Sequence, residues 1–155
     1  MECRTCEWVA RRDRGEAPVW DQILRAVHWD VVHCWPTAHE GWLVVVARVH
    51  RDSIAELSEE EASELGPLLR RTSQALTEVH GAVKTYVAQF AEHPLHPHVH
   101  FHVIPRAADH PESLMGPRIF DRLGDEETAV AEERMTEIAH AVRAVLLRHL
   151  DESGS

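Results

Sequence analysis

The apolar positions of the chain form one unbroken run and several periodic ones. The run is WLVVVA, residues 42–47. It has the length of a strand and reads as a strand buried on both faces. Upstream, AVHWDVVHCW (residues 26–35) alternates in part and mixes β-branched with aromatic residues, which predicts a second strand. The breaker-rich PTAHEG between them predicts a turn, so the pair should form an antiparallel hairpin. In residues 53–81, Leu65, Leu68, Leu69, Leu76 and Val79 recur at helical spacing. Ser58 with Glu61 makes a capping-box pattern, and Gly81 is a stop signal. Pro67 inside this helix predicts a kink, or a restart near Gly66. AVKTYVAQF (82–90) and HVHFHVIP (98–105) predict a third and a fourth strand. Residues 107–124 carry prolines and glycines and predict a long loop. Over 125–150, Val130, Met135, Ile138, Val142, Val145 and Leu146 lay an apolar stripe along a closing helix. The stretch before Asp21 is charged and broken by Gly15 and Pro18, and predicts extended or irregular chain. The expectation is an α+β fold in one domain over residues 1–155.

Charge narrows the partners. The 155 residues hold 16 basic and 26 acidic side chains, a formal charge of -10. A nucleic-acid polymer or an anionic membrane calls for a basic surface, so neither is expected as a partner. A small phosphate-bearing ligand in a locally positive pocket stays open. No signal-like apolar segment follows Met1, and no apolar run approaches the ~20 residues of a membrane helix. The cysteines, Cys3, Cys6 and Cys34, are too few and too unevenly placed for a disulfide framework. A reducing, cytoplasmic location is expected.

The candidate chemistry lies in HPHVHFHVIPR, residues 96–106. Side chains alternate along a strand, so His98, His100 and His102 share one face while Val99, Phe101 and Val103 share the other. Neighbouring histidines in the row would stand roughly 6.5–7 Å apart. The opposite row is wholly apolar and must face a core. One such histidine is ordinarily structural; three in a row must each find a partner or lose solvation without return. A functional row, for metal binding or for catalysis, is the better reading.

HVHFHVIPR resembles the His-φ-His-φ-His-φ-φ signature (φ, apolar) of the histidine-triad (HIT) superfamily. GWLVVVARVH, ending in His50, resembles that family's upstream Gly-His-φ-φ-φ-φ-Pro-Lys-x-His segment. The similarity covers residues 1–106, with 107–124 and 125–150 lying beyond it. The resemblance implies an antiparallel sheet with a long helix after the central hairpin. It also implies a homodimer, and a nucleotide or dinucleotide substrate hydrolysed or transferred at its α-phosphate. His100 would attack phosphorus, His102 would hydrogen-bond the phosphate oxygens, and His98 would complete the triad. In several members, and in the related galactose-phosphate uridylyltransferases, a C-x-x-C pair and two distant histidines hold a structural zinc. Those positions fall here on Cys3, Cys6, His50 and His98, a favoured tetrahedral set. No organic cofactor is implied.

The pattern also departs from the family. Trp42 stands where the family has its first upstream histidine, and is expected to pack in the core. His33 falls near the usual ribose-binding acid or amide. The stretch before the triad, AEHPLHP, lacks the usual Gln or Ser, leaving Gln89 as the nearest amide. His33, Gln89 and Arg106 are therefore the candidate substrate contacts, with Arg118 expected at the surface. His96 is expected to be solvated, and His39, His93 and His110 to lie at the surface. Two other readings stay open. In one, His98, His100 and His102 ligate a catalytic zinc that activates water; in the other, the chain binds nucleotides without turning them over.

Overall fold

The computed structural model describes residues 2–153. The elements, in chain order, are α1 (Arg4–Asp13), β1 (Leu24–Arg25), β2 (Trp29–His33), β3 (Leu43–Ala47), α2 (Glu59–His80), β4 (Lys84–Ala88), β5 (His100–Arg106) and α3 (Glu132–Ser153). The strands make one antiparallel sheet in the order β1-β2-β3-β5-β4. The histidine strand β5 is thus flanked by β3 and β4, with Val46 opposite His100 and Val44 opposite His102. Among the described residues no helix is long and apolar enough to cross a membrane.

Both faces of the sheet are covered, which is why β3 reads as an unbroken apolar run: all five of its residues are buried. On one face Val45, Val99, Phe101 and Val103 pack against Leu68, Ala75 and Leu76 of α2 and Ile138, Val142 and Leu146 of α3. The apolar row of the histidine strand is this core face, as alternation demands. On the other face Trp42, Val44, Val46 and Ile104 meet Val9 of α1 and Ile119.

α2 begins with the expected capping box: the Glu61 N–H donates to Ser58 Oγ at 3.1 Å, and the Ser58 N–H donates back to Glu61 Oε1 at 2.8 Å. It ends at Gly81, whose φ of 63° places it in the left-handed region that a glycine enters without strain. Pro67 neither breaks nor restarts the helix, which runs unbroken from Glu59 to His80. Ser63, Gly66 and Pro67 lie on the exposed face, so the carbonyl deprived of a partner by proline can turn to water.

The N-terminal expectation is corrected. Residues Arg4–Asp13 are a helix, not irregular chain, with the Cys6 N–H donating to Cys3 Sγ at its N-cap. Its inner face mixes Thr5 and the charged Arg12 with a single core valine, Val9, so no apolar period exposes it. Arg12, 2% exposed, donates to the Asp21 carbonyl and carboxylate at 2.7 and 2.9 Å and to Asp30 at 3.2 Å. Asp30 also accepts from Arg25 at 2.8 Å, and Asp21 from Arg11 at 2.7 Å. The buried charges are mutually satisfied, the condition on which a buried guanidinium is tolerated. Residues 107–124 are likewise not plain loop. They hold two 3-10 turns, Glu112–Leu114 and Gly116–Arg122, and the second drives Ile119 into the core.

Candidate functional site

His100 and His102 project from β5 on the side of Val44 and Val46, beneath α1 and the Gly116–Arg122 turn. They border a cleft of about 350 Å³ whose walls include Trp8, Trp35, Phe120 and Leu123, with Thr5, His93 and His96 at its rim. His100 Nδ1 lies 2.6 Å from the His98 carbonyl. A carbonyl can only accept, so Nδ1 carries the proton and Nε2 keeps its lone pair. Burial holds the pKa of His100 below the ordinary histidine value despite that carbonyl, so the ring is neutral at pH 7.

His102 is held differently. Its Nδ1 accepts the Trp42 Nε1–H at 3.0 Å, so its own proton sits on Nε2. Burial, with His100 beside it, pushes its pKa down to about 3. The two rings stand edge to face with centroids 5.0 Å apart. The row therefore presents one imidazole with a free Nε2 lone pair beside another with an Nε2 proton.

His98 faces neither ring. It is fully buried, and its Nε2–H donates to the Ala47 carbonyl at 2.6 Å, which leaves Nδ1 for the group beyond. There its Nδ1 lies 3.7 Å from Cys3 Sγ, 3.5 Å from Cys6 Sγ and 3.2 Å from His50 Nδ1, while His50 Nδ1 is 3.2 Å from Cys6 Sγ. The four donor atoms all lie within 4.8 Å of one another. Zinc–nitrogen and zinc–sulfur bonds at tetrahedral angles imply donor separations of ~3.3–3.8 Å, close to the 3.2–3.7 Å of these four pairs. The outer nitrogens fit as well: His50 Nε2 bonds Asp52 at 2.9 Å and His98 Nε2 the Ala47 carbonyl, the partners that aim metal-bound imidazoles. Burial and the adjoining Cys3 push the Cys6 thiol up to about 11, a shift that a cation at this point reverses. The set Cys3, Cys6, His50 and His98 could hold a metal ion.

The expected substrate contacts are not brought together. His33 reaches the edge of the cleft, but both ring nitrogens are occupied: Nδ1–H donates to the Cys34 carbonyl at 2.8 Å, and Nε2 accepts the Gly41 N–H at 3.1 Å. That bond fixes the turn into β3. Gly41 has φ 80°, and a Cβ there would meet His80 Nε2 at 2.5 Å, so only glycine fits. Gln89, just past β4, and Arg106, at the far end of β5, do not line the cleft. Arg118 is exposed, as expected. His96 differs from expectation: it is half-buried in the cleft wall, with Nδ1 2.8 Å from Thr5 Oγ1 and its ring against Trp8 and His93. His39 and His110 are buried rather than superficial, each bonded through Nε2 to a backbone carbonyl, of Pro105 and Leu114 respectively. Thr5, Trp8 and Phe120 carried no signal, because they reach the cleft on a helix and a 3-10 turn that the apolar pattern does not reveal.

Burial also makes His33 a source of acid lability. Its pKa is pushed down to about 4, against about 6.5 in an unfolded chain. Between those values the unfolded chain binds the proton that the folded chain refuses. Stability contributed by His33 is complete above pH 6.5 and falls as the pH drops toward 4, by about 2 kcal/mol at pH 5. Urea unfolding at pH 7 and pH 5 should show a loss smaller by that amount in His33→Gln. Equal losses in the two proteins would refute the assignment.

No protein-family model and no curated protein sequence matches the chain. Solved structures do. A zinc-bound histidine triad family protein from Mycobacterium smegmatis is similar at 20% identity and TM-score 0.67, over 97% of this chain and 96% of that one. A hypothetical histidine triad nucleotide-binding protein from Sulfolobus tokodaii is similar at 14% identity and TM-score 0.70, over 92% and 93%. A diadenosine triphosphate hydrolase from Plasmodium falciparum is similar at 14% and TM-score 0.62, over 81% and 76%. With His100 and His102 on β5 and His98 just before it, the chain has the histidine triad fold.

Proposed function

We propose that this chain is a single-domain histidine triad protein that cleaves or transfers nucleotides at the α-phosphate through a covalent nucleotidyl-His100. The observation that carries the reading is the 2.6 Å bond from His100 Nδ1–H to the His98 carbonyl, which leaves Nε2 as the nucleophile. The Nε2 lone pair bonds phosphorus as the bond to the leaving group breaks, its electron pair departing with that group. The ring becomes a cation, and the His98 carbonyl stabilises its Nδ1–H. Water or an acceptor phosphate then attacks phosphorus, the P–N pair returns to Nε2, and the proton of the attacking group passes to solvent. The Nε2–H of His102 hydrogen-bonds the phosphate oxygens as charge builds on them. His98 serves by position, its carbonyl aiming His100 while its ring turns away. The base and sugar lie against Trp8, Trp35 and Phe120, while His33, Gln89 and Arg106 have no assigned contact.

Cys3, Cys6, His50 and His98 are the residues that would hold a structural zinc, which cross-links the start of α1 to the ends of β3 and β5. That ring arrangement also counts against a catalytic zinc on the histidine row, since His98 points to the cysteines, His100 to a carbonyl and His102 to Trp42. Three free cysteines and a thiolate site suit a reducing, cytoplasmic location.

The test is direct. A panel of nucleoside polyphosphates and nucleoside phosphoramidates, each quenched in base during turnover, should leave a nucleotidyl group on the peptide bearing His100, lost on acid treatment. Product without such an adduct, or an adduct on another histidine, refutes the reading; binding without product identifies a module that has lost turnover.

The same reading makes the protein a homodimer. β4 is an open sheet edge, and Val83, Val87 and Phe90 around it are 56%, 48% and 59% exposed. Light scattering should give twice 17.6 kDa, and Val87→Lys should halve it. A monomer at micromolar concentration would contradict this.

A further inference from the structure

Trp42 is fully buried at the mouth of β3, edge to face with His102 at 5.7 Å and with Phe120 at 5.1 Å. Its one polar atom, Nε1–H, is used on His102 Nδ1. An indole N–H can donate but never accept. His102 must therefore offer a lone pair at Nδ1, and a second proton there would set N–H against N–H inside a buried contact. A histidine in place of Trp42 could either donate or accept, and would leave that choice open.

Resting on the function proposed above, we infer that Trp42 is a positioning residue: it locks His102 as a neutral Nε2–H donor, able to hydrogen-bond phosphate oxygens but not to hand a proton to the leaving group. The depressed pKa of His102 agrees with this. The other polar groups of the cleft do not replace that proton. His100 holds its Nδ1–H on the His98 carbonyl, His93 Nδ1 accepts the Leu95 N–H, and Arg12 and Asp21 are paired with each other. His96 is engaged with Thr5. The leaving group consequently departs with its electron pair and no proton. The substrates taken are those whose leaving group is a stable anion, such as a phosphate or pyrophosphate, rather than an amine or an alkoxide.

Two measurements test this, and the first needs no variant. Long-range proton–nitrogen NMR of the nitrogen-15-labelled protein at pH 7 should show His102 wholly as the Nε2–H tautomer. In Trp42→Phe, which keeps an aromatic ring and drops the donor, the Nδ1–H form should appear. The second uses aryl esters of adenosine 5′-monophosphate with phenols of rising pKa. In the wild type, kcat/KM should fall steeply along the series. In Trp42→Phe the best ester should lose about tenfold, while the slope becomes shallower because His102 can now take up and deliver a proton. A purely packing role for Trp42 would lower all the esters alike. A wild-type Nδ1–H tautomer, or a flat wild-type slope, overturns the inference. Failure of the wild type to cleave any ester would instead count against the proposed function, while the tautomer would still decide the role of Trp42.

Discussion

Asparagine at position 100 should abolish turnover while leaving the fold and the affinity for nucleotide nearly intact. The expected loss in kcat is on the order of 10⁴-fold or more, the range seen when a covalent nucleophile that works with its neighbours is removed. The prediction separates chemistry from architecture. Asparagine keeps an N–H donor near Cγ for the His98 carbonyl, so the strand-edge bond that His100 makes at 2.6 Å has a substitute. The ring it replaces is only half-buried, so no large cavity opens in the core. The apolar walls around Trp8, Trp35 and Phe120, and the Nε2–H of His102, remain to hold the ligand. Calorimetric binding of a nucleoside monophosphate should therefore change by less than about fivefold, in contrast to kcat, because only transition-state bonding has been removed. Activity retained above about one part in a hundred would remove His100 as nucleophile. Loss of binding in step with kcat would make it a binding residue.

What could be read from the sequence followed the strength of local patterns. β5 was legible because alternation with period two assigns each side chain to a face, and no partner is needed to see it. β3 and α2 were legible for similar reasons, one as a fully apolar run and the other through Ser58, Glu61 and Gly81 at its ends. α1 was not, because the residue that anchors it, Arg12, is charged and is stabilised by Asp21 and Asp30, which lie outside the helix, 9 and 18 residues on. The ligand set was visible as residue types, and its convergence through His98 and His50 became definite only with distances. Trp42 shows the limit most clearly. An apolar strand correctly predicts burial of its ring, but not that its single N–H would be aimed at His102 and so decide where that ring keeps its proton. The wall supplied by Phe120 was hidden for another reason, since a 3-10 turn shows no apolar period.

The protein as purified should carry one zinc ion per chain, and losing it should cost stability well before it costs chemistry. The C-x-x-C pair opens a helix, as a redox pair also does, with Cys3 as N-cap and Cys6 in the first turn. Two observations favour metal. His50 and His98 converge on the same sulfur, Cys6 Sγ, at 3.2 and 3.5 Å, and their outer nitrogens are already held by Asp52 and the Ala47 carbonyl. In small zinc-folded peptides the ion contributes about 10–16 kcal/mol, nearly the whole of folding. Here two packed faces of a sheet persist without it, so only a part is at stake: the tether of α1 to the ends of β3 and β5. A loss of about 4 kcal/mol would lower Tm by roughly 8–16 °C in a domain of this size. Metal analysis should give one zinc in the wild type and none in the double variant Cys3→Ser, Cys6→Ser, with the variant melting lower by that margin. At a temperature where both are folded, kcat should differ by less than about tenfold, because His100 is aimed by a carbonyl and not by the ion. Zinc retained without the cysteines, or activity extinguished by a chelator while the circular dichroism stays unchanged, would place a working metal on the histidine row and overturn the nucleophilic role of His100.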